Sequence, residues 1–333
     1  MRMEGADLKT IRAEILRTRA AWKAKDSPLL RLSGAEAIRR LGIVLDERDL
    51  ADLRALPTPD MARVVAQSRG GLRLAQPGAS VARATGAKKG RAARALPRDD
   101  FYVLDAELLD RVRKLILRWP RRVDWRNRKG RNNVTPVRDQ GGCGSCVAFG
   151  TTATLESMIL IEHVATFDLS EAELLFCGGG SCGGWWPSSA VTYLMNKGIS
   201  LEACFPYAAH NMSCTTCVER DGEAIKVLTQ TTIFDMTQRK QYLTNIGPMM
   251  CVFEVYGDFF GYASGVYSHV SGSLAGLHCV EVIGFDDLLG CWICKNSWGA
   301  GWGDAGFFRI AYGQGNIDSG FPFWGISGTQ WSA

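Results

Sequence analysis

"DQGGCGSCVAFG", residues Asp139 to Gly150, sets two cysteines three apart, behind a glutamine and among four glycines. Such a pair can clamp a metal, form a redox couple, make structural bridges, or divide into one bridge partner and one reactive thiol. The glycines break the chain ahead of Cys146, and a long helical pattern running through "TTATLESMILIEHV" follows it. A cysteine at a helix N-terminus gains from the dipole and from free N–H groups, both of which favour a thiolate. Gln140, six residues earlier, carries a side-chain amide able to meet an oxyanion beside the Cys146 backbone N–H.

A thiolate nucleophile needs an imidazole, and the chain has four histidines: His163, His210, His269 and His278. His278 stands in "GLHCVEVIGFDD", at the start of an apolar strand that can hold a ring rigidly at a cleft. "CWICKNSWGAGWG" follows, where Asn296 is placed to orient the ring by accepting its hydrogen bond and Trp298 to shield that bond from water. The other three histidines carry no flanking pattern and are read as ordinary structural residues.

Bulk properties limit the alternatives. With 333 residues, 46% hydrophobic and 22% charged, the chain has the composition of a soluble globular protein. No apolar run approaches the roughly 18 residues of a membrane span, and the start lacks the apolar core of a secretory signal. Residues 1–122 carry a net charge of +12 and residues 123–333 one of −7. A basic segment docked on an acidic domain of the same chain accounts for both signs, so no nucleic acid is expected. All 11 cysteines lie between Cys143 and Cys294, and the odd number leaves at least one free thiol. Three C-x-x-C spacings hint at zinc. One of them, Cys291/Cys294, falls in a strand pattern, where positions three apart face opposite sides; no metal or other cofactor is expected.

Residues 7–25 place Leu8, Ile11, Ile15 and Trp22 on one face of an amphipathic helix. "SGAE", Ser33 to Glu36, is a capping box that opens a second, short helix. These helices make 1–66 a helical region; 67–98, rich in Gly, Ala, Arg and Lys, reads as a flexible linker; 99–121 holds a further helix in "DAELLDRVRKLILRW" and a junction. From 122 to 333 helices come first, at Cys146 and at "PSSAVTYLMNKG", and short strands later, as in "CVFEVY", "CVEVIGF" and "FFRIAY". That order implies an α+β domain, possible as two lobes.

Four segments in order make this chain resemble the papain-like cysteine peptidases over about residues 122–330. "PRRVDWRNRKG…VTPVRDQGGCGSCVAF" is similar to their mature start and nucleophile segment, and "LSEAELLFCGGGSCGG" to their Leu-Ser-Glu helix with two bridge cysteines. "GLHCVEVIGFDD" and "KNSWGAGWGDAGFFRI" are similar to the segments carrying the base and its asparagine. The separations of His278 and Asn296 from Cys146 match the papain-like Cys/His/Asn pattern. The resemblance implies a papain-like two-lobe fold, a helical lobe and a β-barrel-like lobe with a cleft between. It implies Gln140 as oxyanion donor, Cys146 as nucleophile, His278 as base and acid, Asn296 as its orienter, and Trp298 as shield. It also implies bridges Cys143–Cys182 and Cys177–Cys214, leaving Cys146 free; Cys204 and Cys217 have no counterpart in it and are guessed to pair locally. The remaining cysteines read as buried, reduced thiols.

The sequence departs from the family pattern in places. Val147 replaces the usual aromatic, and Trp185 stands where a second glycine after Gly184 is usual. Gly184, Trp185, Trp186, Leu277 and Cys279 are therefore the expected substrate-binding residues, the tryptophans as an aromatic wall, Leu277 and Cys279 beside an apolar pocket. The first 121 residues do not match the best-known propeptides but stand where a prosegment would. The expected activity is that of a cysteine endopeptidase made as a zymogen, a monomer acting on peptide or protein and holding its own N-terminal prosegment in the cleft. Alternatives are a dedicated precursor-processing peptidase or ligase, and a catalytically silent peptide-binding protein. The implied bridges favour an oxidising setting and the missing signal a cytoplasmic one, so compartment stays open.

Overall fold

In the computed structural model, which describes residues 7–43, 120–218 and 220–331, the N-terminal stretch is built from capped, short elements. The linker and the third helix expected between 67 and 119 lie outside the described residues. Residues 7–43 and 121–331 belong to one compact unit.

Asp7 caps α1 (Leu8–Thr18) by accepting from the Thr10 N–H at 3.0 Å. The apolar period puts Trp22 on this helix, but Arg19 closes it with a left-handed residue at φ 56°, and Trp22 opens a strand instead, β1 (Trp22–Ala24). The reason is burial: Trp22 packs edge-on against Tyr267 at 5.2 Å while β1 pairs with Tyr262–Gly265, which hides a large aromatic surface that another helical turn would leave in water. The "SGAE" box forms as read. Ser33 Oγ accepts from the Glu36 N–H at 3.3 Å, and the Glu36 carboxylate accepts from the Ser33 N–H at 2.8 Å, starting α2 (Gly34–Ile38).

The remainder follows the order its patterns imply, helices and then strands. After β2 (Arg122–Asp124) comes α3 (Cys146–His163), buried on every side from Cys146 to Thr152. A helix that is apolar all round belongs at the centre of a lobe. α4 (Pro187–Asn196) starts with proline at its first turn and ends before Gly198, whose φ of +72° suits glycine. The strands are β3 (Lys226–Ile233), β4 (Met249–Tyr256), β5 (Tyr262–Tyr267), β6 (Leu274–Asp286), β7 (Cys291–Lys295), β8 (Phe307–Ala311) and β9 (Phe323–Gln330), with α5 (Met236–Asn245) between β3 and β4. The sheet runs β1-β5-β8-β7-β6-β4-β9-β3, with β2 also paired to β6. All pairings are antiparallel except β5–β8.

Two cores result, and β4 separates them. Cys251, Phe253 and Val255 enter a core with the other strands, whereas Met250 and Val252 enter one with α3 and α4. Alternation along a strand delivers successive side chains to opposite faces; here both faces are dry, so the strand reads as a continuous apolar run. Ile11, Trp22, Leu29 and Leu41 of the N-terminal stretch belong to the first core.

Leu155, fully buried in the α3 core, provides a check on this architecture. Leu155→Ala should destabilise the protein by about 3 kcal/mol, read as a lowered urea midpoint with unchanged slope.

Candidate active site

Cys146 is the first residue of α3. Ahead of it, Cys143 is bonded to Cys182, and the Gly144 N–H donates to the Cys182 carbonyl at 2.9 Å. The C-x-x-C pair thus divides: Cys143 is in a bridge and Cys146 is a free, buried thiol. Cys177–Cys214 and Cys204–Cys217 are bonded as well, while Cys251, Cys279, Cys291 and Cys294 are buried and unbonded.

His278 lies on β6 opposite Phe253 of β4, and Asn296 directly follows β7, the neighbour of β6. His278 Nε2 and Asn296 Oδ1 are 2.8 Å apart, and the same Oδ1 accepts from the Ser297 N–H at 2.8 Å. The second contact requires oxygen at that position, so His278 donates from Nε2 and keeps its lone pair on Nδ1. Nδ1 is buried and has no protein partner. Trp298 covers the ring at 4.8 Å between centroids, and is itself stacked on Phe260 at 5.0 Å.

The thiol lies against the strand residue next to this ring, at the seam between the cores. The backbone of Cys279, next to His278 on β6, lies close enough to the Cys146 sulfur to favour its thiolate, as do the backbones of Gly42 and Val147. Burial pushes the Cys146 thiol up to about 11, and those backbone groups offset only part of that. Burial pulls His278 down to about 4, against the Asn296 hydrogen bond and with the Arg40 charge. Both groups are therefore neutral near pH 7. The helix N-terminus favours a thiolate, but desolvation outweighs it while the sulfur is covered.

Residues 40–43 provide the cover. Gln140 Nε2 donates to the Arg40 carbonyl at 3.1 Å and to the Cys143 carbonyl at 2.8 Å, and Gln140 Oε1 accepts from Ser297 Oγ at 2.6 Å. Arg40 pairs with Asp139 at 2.9 Å. The Trp185 N–H donates to the Gly42 carbonyl at 2.8 Å, and Ile43 bridges to Trp185 in parallel. Gly42 passes so close to the nucleophile loop that a Cβ there would lie 1.8 Å from the Gly144 carbonyl oxygen.

Gln140, Cys146, His278, Asn296 and Trp298 are thus brought to one place. The other singled-out residues are arranged differently from one another. Gly184 sits at φ +128°, in a bridge to Ser181. Trp185 offers its backbone to the cleft while its ring lies on Gly178 and Gly180. The ring of Trp186 turns to Trp324, at 5.5 Å, in the helical core. Leu277 packs on that same core, and the Cys279 sulfur lies against Gly150 of α3. Sequence reading did not single out Ser297, which ties Gln140 to Asn296, nor Arg40 and Gly42. The signal for Gly42 was a glycine four residues beyond the end of a short capped helix.

A buried thiol at a helix start, an imidazole held by an amide, and a side-chain amide beside them, set between a helical core and a sheet core, define a papain-like centre and fold. The family model for papain family cysteine proteases matches residues 119–320. The chain belongs to that family. It is 36% identical over 207 residues to pro-cathepsin H of Mus musculus, covering 59% of this chain and 61% of that one. It is 35% identical over 205 residues to the thiol protease aleurain of Arabidopsis thaliana, covering 59% and 56%. The chain thus spans about six tenths of the length of these relatives. Among solved structures, Trypanosoma congolense procathepsin B S9 is similar at a TM-score of 0.68 and 22% identity, covering 96% of this chain and 98% of that one. The Carica candamarcensis cysteine protease CMS1MS2, solved with E-64, is similar at 0.54 and 31% identity, covering 62% and 98%.

The depressed pKa of His278 carries a stability consequence. Its contribution is present above pH 6.5, where the ring is neutral in both states, and is lost as pH falls toward about 4, because only the unfolded ring then takes a proton. Between these pH values the urea midpoint of the wild type should therefore fall more steeply than that of His278→Asn. Parallel slopes would contradict the burial.

Proposed function

We propose that this chain is a cysteine-type endopeptidase that hydrolyses peptide bonds through a thioester on Cys146, and that residues 1–121 form a prosegment holding it latent. The observation that carries this reading is the grip of Gln140 Nε2 on the Arg40 carbonyl beside the Cys146 sulfur. A peptide carbonyl already occupies the donor that an oxyanion would need, and a peptide backbone already lies along Trp185.

In the reaction, Cys146 passes its proton to His278 Nδ1 as the sulfur bonds to the substrate carbonyl carbon. The electron pair moves to oxygen, where Gln140 Nε2 and the Cys146 N–H receive it. Collapse breaks the C–N bond, and His278 gives its proton to the leaving amine. Water then attacks the thioester, losing a proton to His278, and the sulfur leaves and regains that proton. Asn296 holds the ring in one orientation throughout, since its Oδ1 takes Nε2 and leaves Nδ1 to carry the proton. With the segment gone, water reaches the sulfur, the desolvation that keeps both groups neutral is relieved, and a thiolate–imidazolium pair becomes accessible.

The N-terminal segment suits its role by charge and by contact. It is basic against an acidic domain, it pairs β1 to the sheet, and its Gly42 leaves no room beside Gly144 of the nucleophile loop.

Labelling with a thiol-directed peptide epoxide after acid processing, located by peptide mapping, should modify Cys146 and no other cysteine. Cys146→Ser should abolish turnover with the fold intact; a processed wild type that neither turns over peptide nor takes the label would sink the reading. Gly42→Val in the full chain should raise turnover at neutral pH by about tenfold, because the added side chain cannot fit against Gly144. Unchanged basal turnover would show that the segment does not restrain the site.

A further inference from the structure

The loop opposite the nucleophile segment is anchored far more heavily than its length requires. Cys204–Cys217 closes it, Cys177–Cys214 ties it to the Leu-Ser-Glu helix, and Asn211 Oδ1 accepts from the Cys182 N–H at 2.8 Å. Its inner face touches the nucleophile segment directly: at Gly141, φ +61°, a Cβ would lie 2.6 Å from that of Ala209. Near its start stands Tyr207.

The Tyr207 hydroxyl donates to the Gln140 carbonyl at 2.8 Å and lies 2.7 Å from Ser145 Oγ. One O–H cannot donate to both, so Ser145 donates to Tyr207 and Tyr207 to Gln140. The ring is held edge-on against Phe149 of α3 at 4.9 Å, and the Tyr207 N–H donates to Glu202 at 2.7 Å. The two residues so joined are the one carrying the amide donor and the one immediately before the nucleophile. Burial pushes the phenol up to about 12, which keeps it a donor across the working range.

We infer that Tyr207 is a positioning residue for the oxyanion hole. Its hydroxyl sets the distance between Gln140 and the Cys146 backbone N–H, and the loop bridged by Cys204–Cys217 is the rigid support behind it. The inference rests on the acyl-transfer reading above. Ser297 holds the Gln140 side chain through its hydroxyl and the Gln140 N–H through its carbonyl at 2.9 Å, and Tyr207 clamps the remaining backbone group, the Gln140 carbonyl. Because the clamp acts on the donors and touches neither the sulfur nor the ring, it affects the tetrahedral state more than substrate binding or the thiol.

The test uses the full chain, acid-processed, as wild type and Tyr207→Phe. A peptide aldehyde, which forms a hemithioacetal with an oxyanion-like oxygen, should bind the variant about tenfold more weakly. The matching peptide alcohol should bind both alike, kcat should fall about tenfold with KM little changed, and the pH profile of Cys146 alkylation by iodoacetamide should be unchanged. If Tyr207→Phe does not fold, Ser145→Ala removes the other half of the clamp and should give the same pattern to a smaller degree. Aldehyde and alcohol affinities falling together, or a shifted alkylation profile, would mean a general structural role and overturn the inference. Unchanged aldehyde affinity in a wild-type-like variant would overturn it too, while leaving the peptidase reading in place. A wild type with no turnover and no alkylation of Cys146 would overturn both.

Discussion

From His278 onward strand β6 is dry on both faces, and the site depends on that constraint. One face joins the sheet core through Val280 and Val282, and the other meets α3 through Cys279. The approach to α3 is possible because position 150 is glycine: a Cβ there would lie 3.1 Å from the Cys279 sulfur. That close packing brings the Cys279 backbone to the Cys146 sulfur, and His278 is the next residue on the strand. A strand with one wet face would let the two elements slide; a strand clamped between two cores cannot.

The same dryness acts on the charge state of the two groups as well as on access to them. An ion pair between sulfur and imidazole needs either water or closely placed dipoles. In the closed site the sulfur has only backbone groups, one from the covering segment itself, and His278 sees the unfavourable charge of Arg40. Neutral thiol and neutral ring are the stable pair there. Removal of residues 40–43 would expose the groove and return solvent to the sulfur in one event.

Polar groups around the centre form a continuous chain that holds its geometry. Asn296 Oδ1 takes both His278 and the Ser297 N–H, Ser297 Oγ holds Gln140, and Gln140 is tied in turn to Tyr207 and Ser145. Behind Asn296, Lys295 Nζ donates to Thr135 Oγ1 at 2.9 Å, and that hydroxyl donates to Glu156 at 2.5 Å. Buried polar groups linked in this way specify one arrangement, because leaving any member unpaired is costly.

Local signals were legible in the sequence itself. The capping box at Ser33, the glycines before Cys146, the proline opening α4 and the apolar strands of 251–256 and 279–285 are short-range features, and each formed the element read from it. Motif order and spacing likewise singled out Gln140, Cys146, His278 and Asn296, which the fold then gathers at the seam between the cores. Trp22 shows the limit. Its helical period was sound, yet a pair of tyrosines, Tyr262 and Tyr267, far along the chain drew it onto a strand. The same holds for Arg40 and Gly42 over the site, for the turn of the Trp185 and Trp186 rings away from the roles their position implied, and for the support of Gln140 by Tyr207 and Ser297. These depend on which surfaces meet after folding, and the free energy of burial that selects them is a property of the assembled cores rather than of any local stretch.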